Sequence, residues 1–92
     1  MKTLKIYDKI TKTERTMKIS QRTIEGPFYK STVNAFLRAA ITRIVTDEYI
    51  SCGIARYDRA GDATVFVISE DERANLLSEV EYRIERAGVC LE

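Results

Sequence analysis

Near its start the chain contains two short stretches in which apolar and polar residues alternate. Leu4 and Ile6 share one face of the first stretch, and Met17 and Ile19 share one face of the second. A period of two is typical of half-buried strands, and the polar residues between the stretches suit a hairpin loop. The pattern therefore predicts an antiparallel pair of strands.

The strongest helical period follows this predicted hairpin. Its spacing predicts a helix over about 32–48, with Ser31 or Thr32 as the N-cap residue. One face of this helix is apolar throughout and should lie against the core. The apolar positions are Val33, Phe36, Leu37, Ala40, Ile41, Ile44 and Val45.

A second hairpin and a second helix are predicted in the remaining sequence. Alternation over 49–57 and a glycine-bearing turn predict two strands, of which the apolar run Val65–Ile68 should be central to the sheet. Ser69 with Glu72 forms a capping box that begins a helix. This helix should end at Gly88, because glycine tolerates the left-handed conformation. Its apolar stripe comprises Leu76, Leu77, Val80, Ile84 and Ala87, and residues 89–91 suit a short edge strand.

The predicted order of elements is ββαββα, which indicates the α+β class. We expect a two-layer sandwich in which one antiparallel sheet carries two helices on one face. A length of 92 residues with 45% apolar and 32% charged composition fits a single domain spanning 1–92.

The charges are unevenly distributed, although the net charge is only +1. Residues 1–46 contain ten basic residues against three acids, a net +7, and residues 47–92 contain five against eleven, a net −6. If the halves stay apart in space, the protein presents one basic and one acidic face.

No catalytic or metal-binding set is recognisable. The chain has no histidine, and the acids at 70–72 are explained by helix initiation. Cys52 and Cys90 lack metal-ligand spacing and are expected to be buried or half-buried thiols. The sequence therefore predicts a protein that is not an enzyme and has no catalytic residue, metal, cofactor or small-molecule substrate.

The apolar runs are too short for a membrane span, and the start of the chain lacks the apolar region of a signal peptide. We therefore expect a cytoplasmic protein with no membrane association.

The only proline lies in the stretch SQRTIEGPFYKS, residues 20–31. As a connector, it would bend at Gly26, stiffen at Pro27 and bury Phe28 in the core. Basic and aromatic side chains at a helix start also suit a phosphate or carboxylate partner. Both interpretations stay open.

The outward face of the predicted helix at 32–48 carries small residues flanked by arginines. Such a face permits close approach of a partner, whereas the alternative is an ordinary solvated surface. Together with the connector it gives the candidate partner-binding residues, which are Arg22, Tyr29, Lys30, Asn34, Arg38, Ala39, Thr42 and Arg43.

From the hairpin MKTLKIYDKITKTERTMKIS to the terminal helix, the whole chain resembles small phage-encoded anti-CRISPR proteins that inhibit type I-F surveillance complexes. The resemblance lies in size, start and layout, and no site residue is carried over from it. It implies a protein of the host bacterial cytoplasm that docks on Cas protein subunits and blocks target DNA recognition. The basic first half favours additional contact with guide RNA. The alternative is a free-standing nucleic-acid-binding phage regulator.

Overall fold

The computed structural model describes residues 1–92 and has three helices and five strands in two antiparallel sheets, which confirms the predicted α+β class. The elements are β1 (Lys2–Asp8), β2 (Thr13–Ile19), α1 (Gln21–Glu25), α2 (Tyr29–Ser51), β3 (Arg56–Ala60), β4 (Ala63–Val67), α3 (Glu70–Arg86) and β5 (Gly88–Leu91).

The larger sheet has the strand order β2-β1-β5, and all neighbours are antiparallel. Leu4 lies opposite Met17 in β2, and Ile6 lies opposite Val89 in β5. The predicted first hairpin and the predicted edge strand at the end of the chain are both confirmed.

Helices α2 and α3 pack against the face of this sheet that carries Ile6. The core cluster consists of Ile6, Ala40, Ile41, Ile44, Val45, Leu76 and Val80. The apolar stripe predicted for the first long helix is confirmed from Phe36 to Val45, whose stripe residues form this cluster or pack against it, whereas Val33 is half-buried and lies outside it. The stripe of α3 is wrong at Leu77, which is 57% exposed because it lies about 100° around the helix from Leu76.

Helix α2 is longer at both ends than the predicted range 32–48. It begins at Tyr29, and its N-cap residue Phe28 makes no side-chain capping bond, so Ser31 and Thr32 lie inside the helix. Pro27 precedes this N-cap residue and separates α2 from α1, because the residue before a proline avoids the helical conformation and Gly26 is accordingly extended, with a ψ of 160°.

The predicted strand at 49–57 is wrong over 49–55, because α2 continues through Ser51 and β3 begins only at Arg56. Gly53 ends the helix with a φ of +76°. This left-handed turn lets the N–H groups of Ile54 and Ala55 donate to the carbonyl of Tyr49, at 3.0 and 3.2 Å. Gly53 thus has the helix-ending role that the sequence analysis gave to Gly88.

Helix α3 begins as predicted but ends differently. The Ser69 hydroxyl accepts a hydrogen bond from the Glu72 N–H at 3.3 Å, which confirms the N-cap. At the other end Ala87 is the C-cap in an extended conformation, and Gly88 starts β5 without a positive φ. The chain therefore leaves α3 directly into a strand.

Strands β3 and β4 form a separate two-stranded sheet, so the prediction that the run Val65–Ile68 is central to one sheet is wrong. The third strand of the larger sheet is β5 instead. All five residues of β3 and the first three of β4 are exposed. Phe66 anchors this hairpin to the core and contacts Tyr57 across the strands, with ring centroids 5.7 Å apart.

A buried ion cluster joins the larger sheet to both long helices. Asp8 at the end of β1 is fully buried and Arg83 of α3 is 8% exposed. Nη1 of Arg83 donates to Asp8 at 2.9 Å and also contacts the carboxylate of Glu48, while Nε donates to Glu79 at 2.8 Å. The sequence analysis singled out none of these four residues as a cluster.

The cluster keeps both of its most buried members charged. Burial alone would raise the pKa of Asp8, but hydrogen bonds from the Ile10 N–H and the Arg83 guanidinium outweigh it and hold this pKa below its ordinary value. Burial opposes the charge on Arg83 as well, yet hydrogen bonds to Glu48, Glu79 and Asp8 raise its pKa overall.

Both cysteines are exposed, contrary to the expectation of buried thiols. Cys52 follows the last residue of α2, and Cys90 lies in the edge strand β5 opposite Lys5. None of the three helices combines the length and the apolar composition that crossing a membrane requires.

Candidate interaction surface

The connector at 20–31 contains a short helix that the sequence analysis missed. The Ser20 hydroxyl caps α1 by accepting from the Thr23 N–H at 3.2 Å. Gly26 ends it, and a side chain there would lie only 3.1 Å from the carbonyl oxygen of Arg22. The close approach allows α1 to turn directly into α2.

The corner between α1 and α2 exposes an aromatic ring. Phe28 is 75% exposed, which contradicts the expectation that it packs into the core. It lines an open concavity of about 240 Å³ with Arg22 and Pro27. The remaining lining residues are Thr23, Gly26 and Thr32. An exposed ring beside a guanidinium is the composition that protein interfaces favour.

The periodicity of α2 contained the signal that Phe28 is exposed. Extending the apolar stripe back from Val33 by four residues reaches Tyr29, and Tyr29 is indeed half-buried. Phe28 precedes Tyr29 by one residue, which is about 100° around the helix, and its side chain therefore faces solvent. We name the exposed junction of the two helices, which includes Arg22, Phe28, Lys30 and Asn34, the α1–α2 corner; Arg22 and Phe28 line the concavity, whereas Lys30 and Asn34 do not.

Three of the predicted partner-binding residues lie at this corner with free charges or amides. Arg22, Lys30 and Asn34 are exposed. Neither Arg22 nor Lys30 forms a salt bridge. Lys30 and Asn34 are four residues apart on α2 and therefore lie on one line along the helix. The corner thus offers a cation from α1 next to the Phe28 ring, and a cation and an amide along another line of α2.

Arg38 continues the line of Lys30 and Asn34 but is already paired. Its guanidinium donates two hydrogen bonds to the Glu81 carboxylate of α3, one of them at 3.5 Å. The hydrogen bond and charge of Glu81 raise the pKa of Arg38, and those of Arg38 lower the pKa of Glu81. Since this pair is exposed, it links the two helices while reducing the net charge that Arg38 presents.

Arg43 is also paired, and the small-residue face is only partly open. Nε of Arg43 lies 3.3 Å from Asp47, which also accepts from Nη2 of Arg15 at 3.1 Å. Ala39 is exposed, whereas Thr42 is half-buried. The structure therefore divides the four charged candidates into Arg22 and Lys30, which form no salt bridge, and Arg38 and Arg43, which are compensated.

The two charge halves of the sequence are not two separate faces. Ion pairs join Lys5 to Glu92, Arg38 to Glu81 and Asp8 to Arg83, each across the halves. Six basic residues of the first half remain without a salt bridge: Lys2, Lys9, Lys12, Lys18, Arg22 and Lys30. The uncompensated positive charge is thus spread over the first hairpin and the α1–α2 corner.

Ala39 lies in an open groove of about 470 Å³ between β2 and α2. The groove is lined by Glu14, Arg15, Thr16, Phe36, Ala39 and Ala40. Ala39 leaves space in this groove, because its side chain ends at Cβ. A partner that enters the groove would be blocked by a longer side chain at this position.

We expect Ala39→Gln and Ala39→Arg to weaken partner binding at least tenfold if the groove is part of the interface. Because Ala39 is exposed, both variants should change the unfolding free energy by less than about 0.5 kcal/mol. Binding titrations and thermal unfolding of both variants check this. Full affinity in both would exclude the groove, and the glutamine variant separates bulk from added charge.

No group of three or more His, Cys, Asp or Glu side chains is arranged to hold a metal ion. Asp8, Glu48 and Glu79 do converge, but on the guanidinium of Arg83.

Comparison with known proteins finds no matching family, no matching curated protein and no matching solved structure. A function must therefore be proposed from the surface and from the resemblance of the whole chain.

Proposed function

We propose that this chain is a binding protein that docks on a CRISPR–Cas surveillance complex and blocks recognition of target DNA. The α1–α2 corner is the contact surface in this proposal. The observation that carries it is Phe28, which is 75% exposed and shares a concavity with Arg22. Exposing a whole aromatic ring costs hydrophobic free energy, and a partner that covers the ring would recover it.

The chemistry of the corner favours a partner with anionic groups beside apolar surface. A guanidinium and an ammonium can each bind a phosphate or a carboxylate, and the amide of Asn34 can donate or accept hydrogen bonds. A ribonucleoprotein offers protein surface and RNA phosphates together. The choice of Cas subunits and guide RNA among such partners rests on the resemblance of the chain to type I-F inhibitors.

The alternative proposal is a free-standing regulator that binds nucleic acid alone. The six uncompensated basic residues favour it, because phosphate contacts supply most of the affinity for nucleic acids. Their distribution weakens it. Lysines of the first hairpin lie in different elements from the arginine and lysine of the corner, so a nucleic acid would have to contact several elements at once to use all six.

Binding to purified partners distinguishes the two proposals. The inhibitor should bind an assembled type I-F surveillance complex at submicromolar concentration and prevent it from retaining labelled target DNA. It should show no binding to a bare RNA or DNA oligonucleotide at physiological salt. Tight binding to the bare oligonucleotide, with affinity that falls steeply as salt rises, would instead establish the regulator. Binding to neither would refute both proposals.

A further inference from the structure

Strand β4 forms one edge of the small sheet, and this edge has no partner. β4 pairs only with β3, and no residue of Ala63–Val67 makes a backbone hydrogen bond outside that pairing. Residues 63–68 read ATVFVI, with no charged residue, no proline and no glycine. A free strand edge of this composition is a template for pairing with another strand.

The other edge of the same hairpin is built differently. β3 carries Arg56, Asp58 and Arg59 among its five residues. Charged side chains along an edge strand oppose pairing with a further chain. The hairpin is therefore protected along β3 and unprotected along β4, and this asymmetry indicates which edge receives a partner.

The chain exposes more surface than a compact monomer of its size. Its accessible surface is 6442 Å², whereas about 5,400 Å² is expected for a mass of 10.5 kDa. The radius of gyration is 15.2 Å, against about 12 Å for a compact domain of this length. The excess belongs to an elongated molecule of 41 × 32 × 19 Å, in which the exposed β3–β4 hairpin is one contributor.

We propose that two copies of this chain pair through their β4 edges, antiparallel about a two-fold axis, so that the two hairpins form one four-stranded sheet. With Val65 on the axis, Thr64 lies opposite Phe66 and Ala63 lies opposite Val67 of the second copy. No charge meets a like charge in this pairing, because β4 has none. The occupant is a second copy because its β4 meets this edge with the same uncharged strand, so that the edge is complementary to itself about the two-fold axis.

Two-fold pairing also brings Val65, which is 39% exposed, against Val65 of the second copy on the same face of the sheet. A four-stranded sheet exceeds the three strands that independent sheet stability requires, whereas a two-stranded hairpin does not. The hairpin is otherwise attached to the core mainly through Phe66 and Ile68.

The proposal is tested by measuring the mass of the purified chain in solution with light scattering and sedimentation. At micromolar concentration the wild type should show twice the 10.5 kDa of one chain. Val65→Lys should raise the dimer dissociation constant at least tenfold, because two lysines meet at the axis. Within its own hairpin this lysine lies opposite Asp58, so the variant should fold.

The matched control is Ala60→Lys, which adds the same charge to the same hairpin on the protected strand β3 and should leave the dimer intact. Amide exchange of the wild type supplies a measurement that needs no variant, since β4 amides should become more protected as concentration rises. A monomeric wild type at all concentrations overturns the proposal and leaves the edge to a strand of another protein. A dimer that tolerates Val65→Lys, or that both variants dissociate equally, also overturns it.

Discussion

Replacing Arg83 with methionine should lower the free energy of unfolding by about 3–5 kcal/mol. Methionine keeps much of the length of the side chain but removes all three contacts of the guanidinium. Asp8 would then be a fully buried carboxylate without a cation. Leaving one member of a buried pair uncompensated costs more than the pair itself contributes, because the remaining charge has lost its water and its partner.

The matched control is Arg73→Met on the same helix. Arg73 is exposed and forms no salt bridge, so this change should cost less than about 0.5 kcal/mol. Urea unfolding of both variants, followed by circular dichroism, measures the difference. Equal losses in the two variants would show that the cluster at Arg83 is not needed for stability.

A double variant separates the cost of the buried charge from the value of the ion pair. Adding Asp8→Asn to Arg83→Met removes the uncompensated charge while keeping an acceptor for the Ile10 N–H. We expect the double variant to recover part of the lost stability, since interaction energies within one cluster are not additive.

Local periodicity predicted the elements whose partners lie close in sequence. The alternation around Leu4 and Ile6 and the apolar stripe of α2 each express a single period, and both were correct. The same alternation also pointed to Asp8, which continues the inward positions of β1. The sequence analysis assigned this residue to the loop because it is polar, and no local pattern identifies a carboxylate whose counter-ion is 75 residues away.

The error about the sheet in the second half arises because strand pairing is not local, whereas the error at the end of α2 is local. Val65 and its neighbours form an apolar run, which is typical of a central strand. Such a run does not show which other strand or helix covers it. The edge that completes the larger sheet is β5, whose four residues gave a weaker signal. Helix α2 extended into the predicted strand because Gly53, rather than an earlier residue, provides the left-handed turn.

The sequence proposes the region of the candidate site but not which of its charges are free. The basic and aromatic residues at 22–34 favour a contact surface from composition alone, and this stays a prediction. Residues on α3 and β2 determine which arginines form ion pairs. Arg38, for example, pairs with Glu81, which lies 43 residues away in the sequence. This distinction changes the experiment, because reversing Arg38 would also break a link between two helices.

The charge-reversal variant Arg22→Glu with Lys30→Glu should abolish partner binding while the fold stays intact. Both side chains are exposed and form no salt bridge, so their replacement leaves no native contact uncompensated. Each charge-assisted hydrogen bond contributes about 1.5–3 kcal/mol, so losing two weakens binding at least about 100-fold. Binding to the surveillance complex, with circular dichroism as a check on folding, measures the effect.

The matched control is Lys12→Glu with Lys18→Glu, which changes the net charge equally on the first hairpin. If the partner recognises the α1–α2 corner, the control binds nearly as tightly as the wild type, whereas equal losses in both variants mean that only the overall charge matters.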